Sequence, residues 1–171
     1  MALDVSAPRW VLVAGVGTVV AAIGSVLPWA TLRFDPTIAN LANVSETQTV
    51  SGLDGDGTIT LVLAVATLAV LLAALVRSRP GPKTAAVTAL TGTLVTVVAV
   101  VDYREFRATR DRIQQRAAET GPEMSGDAVT VELEPGLVVL GLGGLLLFAA
   151  GGYALLSYWR ADSGSASAVN E

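Results

Sequence analysis

Residues 84–119 constrain this chain more than any other stretch. They begin uncharged (84–101, TAAVTALTGTLVTVVAVV) and then turn densely charged (102–119, DYREFRATRDRIQQRAAE), with neither Gly nor Pro at the junction to stop a helix. One helix is expected across both halves. At ~1.5 Å per residue it is roughly 54 Å long against a hydrocarbon core of ~30 Å, so its second half must stand clear of a bilayer.

Three further uncharged blocks repeat the apolar theme, and together they predict membrane spans at residues 10–29, 59–76, 84–101 and 136–158. A composition 52% hydrophobic, with mean hydropathy +0.59 over 171 residues, belongs to a membrane protein rather than a soluble domain. The expected fold class is an all-α membrane protein. It is a four-helix transmembrane bundle in one domain, with a small extracellular antiparallel β-sheet and a prolonged third helix. Outer loops are expected at 30–57 and 102–135, an inner loop at 77–83, and a disordered tail at 161–171.

Much chemistry is excluded at the outset. The chain has no Cys and no His, which removes disulfides, thiolate nucleophiles and the commonest general base and metal ligand. A net charge of -4 and a pI near 4.8 argue against nucleic acid as a partner. No Asp, Glu, Lys or Arg falls inside a predicted span, so a self-contained ion or proton path is not expected. Residues 52–60 (GLDGDGTIT) copy the middle of an EF-hand loop, with Asp54 and Asp56 as third and fifth ligands. Position one is then Gly52 and position twelve Leu63, so the motif fails. Asp54 and Asp56 read better as acids at the N-terminus of the second span, with Thr58 as its cap. A membrane enzyme would need the carboxylates near the outer interface, Asp54, Asp56, Asp102 and Glu134, to converge, and their spacing fits no metal or acid/base pattern, so no catalytic, cofactor-binding or metal-ligating residue is nominated and the chain is expected not to be an enzyme.

The spans carry small residues at helical spacing, which let neighbouring backbones approach closely. Ala14, Gly17, Ala21 and Gly24 form one such stripe. Thr88, Gly92 and Thr96, preceded by Thr84, form another, and the glycine-rich fourth span adds Gly144, Gly151 and Gly152. A Trp at each end of the first span, Trp10 and Trp29, fits an interfacial belt. Outside the spans, Leu32 and Phe34 alternate with Thr31 and Arg33, residues 46–52 favour β structure, and 128–134 alternate most clearly. Asn43-Val44-Ser45 fits a glycosylation acceptor, Asn43 being the candidate site. Past Val101, Tyr103, Phe106, Ile113 and Ala117 make an apolar side of an amphipathic stalk, and Gly121-Pro122 ends it.

An even number of spans puts both termini on one side with the connection 77–83. Lys and Arg count five on that side and six on the other. The tight connection holds basic residues and no acid, which places it and both termini in the cytoplasm of a multi-pass cell-membrane protein. Partners expected are membrane lipid and either a second copy of the chain or another membrane protein. The functional expectation is a non-enzymatic envelope protein that binds through its outer loops and small-residue helix faces. The alternative is an accessory subunit of a transporter or channel.

The layout resembles that of the claudin and PMP22-like four-span family. The likeness lies in Leu27-Pro28-Trp29 closing the first span, a long β-prone first loop, a short basic connection, a prolonged third helix, one strand in the second loop, and Gly151-Gly152 in the fourth span. The family's Gly-Leu-Trp reads Gly52-Leu53-Asp54 here, and its loop cysteines are missing. The resemblance implies an outer sheet, adhesion and side-by-side assembly.

Overall fold

The computed structural model describes residues 8–77, 80–119 and 129–167. Helix α1 (Arg9–Val26) leads into strand β1 (Pro28–Phe34), short helix α2 (Pro36–Ala42) and strand β2 (Thr47–Ser51). A 3-10 turn (Gly52–Asp54) delivers the chain to α3 (Gly57–Val76). Then come α4 (Pro82–Glu119), strand β3 (Val129–Leu133) and α5 (Gly136–Ser167). Four of these helices, α1, α3, α4 and α5, are long and apolar enough to cross a membrane. The protein is therefore an integral membrane protein of four spans, mostly helical, with one small antiparallel sheet. The stop expected at Gly121-Pro122, the strand start at Ala128 and the Ser78-Arg79 part of the basic connection lie outside the described residues.

The third span and its stalk are one helix, 38 residues long, as the uninterrupted sequence predicts. Two expected boundaries move. The first span does not run to residue 29: α1 stops at Val26, because the proline at 28 forces Leu27 into extended backbone (φ -63, ψ 156), and Pro28 and Trp29 begin β1 instead. The tail expected from residue 161 is helical as far as Ser167. Extending an existing helix costs little per residue once it is nucleated, and the Ser163 hydroxyl donates back to the Trp159 carbonyl at 3.0 Å.

α5 is the hub of the bundle. A side chain on Gly24 or Gly143 would run into the facing backbone of α5 or α1, and one on Gly92 or Gly151 would do the same between α4 and α5. Two cores result. One, on the sheet side, contains Ala21, Trp29, Ala64, Val95, Ala99, Leu137 and Leu140. The other, toward the termini, contains Val11, Ala14, Leu71, Leu147 and Ala150. α3 is the loosest member: 22% of its apolar stretch is buried, against 44% for α1 and α5.

Hydroxyls fasten α3 where small residues do not. Ser25 and Thr60 meet at 2.8 Å between α1 and α3, and Thr67 donates to Thr91 at 3.0 Å between α3 and α4. Thr18, Ser25, Thr88 and Thr96 bond back to carbonyls of their own helices, which satisfies them in a solvent without water.

The sheet has strand order β2-β1-β3, both pairs antiparallel. Leu32 faces Gln48 on one side and Val131 on the other. A bulge between Pro28 and Ala30 lets Trp29 leave the ladder and enter the core. Arg33 and Glu132 make an ion pair at 3.2 Å, but both side chains are exposed, so its contribution is at most ~1 kcal/mol.

Candidate functional site

Three glycines build a socket for Trp29. Its indole N–H donates to the Gly24 carbonyl at 2.9 Å, while a side chain on Gly52 or Gly136 would strike the ring. The residue is 2% exposed. It is a core keystone joining the end of α1, the 3-10 turn and the start of α5, not the interfacial belt residue expected from its place beside a span.

Above this socket lies a cleft of about 430 Å³, between the β2–α3 corner and the first turns of α4 beyond the bilayer. The uncharged part of α4 ends at Val101, and Asp102 is the first residue past it. Spaced three, one and three residues apart, Asp102, Glu105, Phe106 and Thr109 fall on one face of α4 and line the cleft, while Asp54, Asp56 and Ser51 line the opposite wall. Phe106 packs on the core cluster that holds Trp29 and gives the cleft an aromatic floor.

The corner is tied by its own hydrogen bonds. Ser51 accepts a hydrogen bond from Leu53 N–H at 3.0 Å, and the Asp54 carboxylate accepts one from Ser51 N–H at 2.9 Å, a reciprocal capping box around the 3-10 turn. Thr58 does not cap α3 as expected. Its hydroxyl donates to the Leu53 carbonyl at 3.0 Å, and Asp56 stands at the N-cap without a side-chain cap bond.

Asp102 is the polar anomaly. Its Oδ2 is buried and has no hydrogen-bond partner. Burial, then the nearby charges of Asp56 and Glu105, push its carboxyl up from 3.8 to about 6. Among the described residues no group of three carboxylates can hold a metal ion. What the arrangement offers is negative charge over an aromatic floor, in a space large enough for an ammonium or guanidinium group.

The nominated packing residues are placed as follows. Gly17, Ala21 and Gly24 meet α5, Gly17 lying 3.0 Å in β-carbon terms from the Leu146 side chain. Gly92, Gly144 and Thr96 meet one another across α4 and α5, a β-carbon on Gly144 falling 2.6 Å from Thr96 Oγ1. Gly151 meets Ala89, and Thr88 is buried. Gly152 lies on another side of α5 and would meet nothing within 4 Å. Asn43 caps α2 in the left-handed conformation (φ 52), a place Asn takes for its own backbone reasons. Glu134 stays away from the cleft and accepts a hydrogen bond from Thr31 at 3.0 Å. Glu105 went unnominated in the sequence. Its signal was its i, i+3 spacing from Asp102.

Two grooves between α1 and α3, about 460 and 370 Å³, have walls that are almost wholly apolar and face lipid. They offer no chemistry to compete with the cleft. Compared with known proteins, the chain matches no family model and no curated sequence.

Proposed function

We propose that this is a non-enzymatic membrane protein that recognises a partner outside the bilayer, by taking a Lys or Arg side chain of that partner into the acidic cleft. The observation that carries this reading is the unpartnered Oδ2 of Asp102 in a space lined by Asp56, Glu105 and Phe106. A buried carboxylate oxygen without a donor is costly, and an incoming cation supplies the missing donor.

Self-association through the small-residue stripes is less well supported. Gly17, Gly24, Gly92, Gly144 and Gly151 already meet helices of the same chain, so those faces are spent within the fold. The resemblance to a claudin-like layout points to the same location for recognition, in the cap formed by the sheet and the α4 stalk rather than in the spans. The cap then faces outward and the termini the cytoplasm, as the basic connection implies.

The test is titration of the protein in nanodiscs with a tetralysine peptide, followed by calorimetry at low and at physiological salt. The peptide binds, and Asp102→Asn with Glu105→Gln weakens it about tenfold, as two partly exposed ion pairs of ~0.7 kcal/mol each would. Equal affinity for the doubly substituted protein refutes the reading. A photo-crosslinker at Thr109, on the rim, then captures the partner in native membranes, and one at Thr93, on the exposed face of the span, serves as control.

A further inference from the structure

The base of the α4 stalk lines a second groove, on the face opposite the acidic cleft. Val100, Tyr103, Arg104 and Arg107 fall together on that face, and with Ala99 they close one wall of a groove of about 400 Å³ whose other wall is Leu137, Val138 and Gly141 of α5. The groove is apolar at its foot and doubly basic at its mouth. Arg104 and Arg107 are exposed, and neither pairs with an acid among the described residues.

Depth decides what such a groove suits. Val101 ends the uncharged part of α4, and at ~1.5 Å per residue Arg104 lies about 4.5 Å beyond it and Arg107 about 9 Å. The head-group layer on each side of a bilayer is roughly 5–7 Å thick, so one guanidinium stands within it and the other reaches down to it from its edge. The apolar foot, at Ala99, Val100, Val138 and Gly141, is at the level of the upper acyl chain. Tyr103 and Phe106, expected on one apolar side of the stalk, are divided between the two faces: Phe106 lines the cleft, and Tyr103 lines this groove at the interfacial level that an amphipathic ring favours.

We infer that this groove binds an anionic phospholipid of the leaflet on the sheet side, with its phosphate between Arg104 and Arg107 and one acyl chain against Val100, Val138 and Gly141. The charge match selects the occupant. Two unpaired guanidiniums at phosphate depth suit a phosphodiester bidentately, and a net anionic head group leaves them unopposed by a choline or ethanolamine cation. Basic pockets between spans recur as anionic-lipid sites on the cytoplasmic side of membranes, and this groove offers the same chemistry to the leaflet on the sheet side. A neighbouring protein helix would have to bring its own acid to the same depth, where an anionic lipid already supplies a phosphate.

Native mass spectrometry of the full chain, exchanged into micelles doped with either phosphatidylglycerol or phosphatidylcholine, tests the inference. One phosphatidylglycerol is retained in preference to phosphatidylcholine. Arg104→Gln and Arg107→Gln each lower that preference about fivefold. Both side chains are exposed, so circular dichroism of these variants stays that of the parent. Gly141→Leu fills the foot of the groove, where a β-carbon makes only ordinary contact with Ala99 at 3.6 Å, and lowers retention of both lipids. Equal retention of the two lipids by the parent protein overturns the inference, as does an unchanged preference in the double Arg variant, which would assign the groove to a protein neighbour or to bulk lipid.

Discussion

Replacing Gly92 with alanine adds one methyl group, yet the structure makes it one of the most damaging small changes available. The new β-carbon would stand 2.7 Å from the Gly144 carbonyl oxygen and 2.8 Å from the Leu147 carbonyl carbon, and closer still to the Phe148 amide nitrogen. Unstrained contacts of this kind need about 3.5 Å, and all three neighbours are backbone that cannot rotate away. α4 and α5 must therefore part by roughly 1 Å along their contact. Overpacking of this kind costs ~1–3 kcal/mol, and the gain in helix propensity on losing a glycine returns up to ~1. Gly152→Ala is the internal control: nothing lies within 4 Å of its β-carbon, so only the propensity gain remains and the protein is stabilised by ~0.5–1 kcal/mol. The propensity gain is common to the two chemically identical substitutions, sixty residues apart in sequence, so they should differ by the overpacking cost alone, about 1–3 kcal/mol, or some 5- to 150-fold in the unfolding equilibrium. Reversible unfolding in mixed micelles, followed by far-UV circular dichroism, measures both. Equal shifts for the two variants would refute the packing of α4 against α5 described above.

Asp102 makes stability depend on pH. Its folded carboxyl titrates near 6, above the ordinary 3.8, so between these values the folded chain binds more proton than the unfolded one and stability falls as pH rises. The ceiling is ~3 kcal/mol, and solvent access to this half-buried group reduces it to about 1. Asp102→Asn should be the more stable protein above pH 6, and unfolding midpoints at pH 4 and pH 8 would show the slope removed. Ser25→Ala and Thr60→Val, combined in a double-mutant cycle, should return a coupling of ~0.6 kcal/mol from the hydroxyl pair that ties α3 to α1; zero coupling would mean that the pair does not hold α3. Because the chain has no cysteine, single Cys residues at Gln48 and Arg77 report sidedness directly. A membrane-impermeant maleimide should label position 48 and not 77 on intact cells, and the reverse result would invert the orientation.

The spans were legible because lipid leaves a coarse mark on sequence: a block of uncharged residues about as long as the bilayer is thick. The stalk was legible for a negative reason, the absence of Gly or Pro at the junction near residues 101 and 102 that could break it at the membrane surface. β3 showed in the alternation of Val129, Val131 and Leu133. Trp29 misled, since an indole at the end of an apolar block is usually interfacial, and only Gly24, Gly52 and Gly136, from three separate segments, make a socket for it. The signals for α2 are in the sequence but span a single short turn-rich segment: Asp35 accepts from Thr37 N–H at 2.8 Å, Pro36 fills the first helical position, and Asn43 closes the far end. The acidic cleft could not be read along the chain, because Asp54 and Asp56 meet Asp102 and Glu105 only when α3 and α4 stand side by side.

The two faces of α4 at the membrane surface have opposite charge, and that separation has an energetic consequence. Asp102, Glu105 and Thr109 face the sheet-side corner, whereas Arg104 and Arg107 face α5. A helix is about 10 Å across, so the two sites stand a helix diameter apart and share no lining residue. A cation in the cleft and a phosphate in the groove therefore neither compete for space nor attract each other strongly through the stalk. Their sites should behave as independent, with substitution effects adding to within ~0.5 kcal/mol. Asp102→Asn should leave the preference for phosphatidylglycerol intact, Arg104→Gln with Arg107→Gln should leave tetralysine affinity intact at physiological salt, and the triple variant should lose both. If Asp102→Asn abolished the lipid preference as thoroughly as the Arg pair does, the two faces would belong to one site and the separation of roles along α4 would fail.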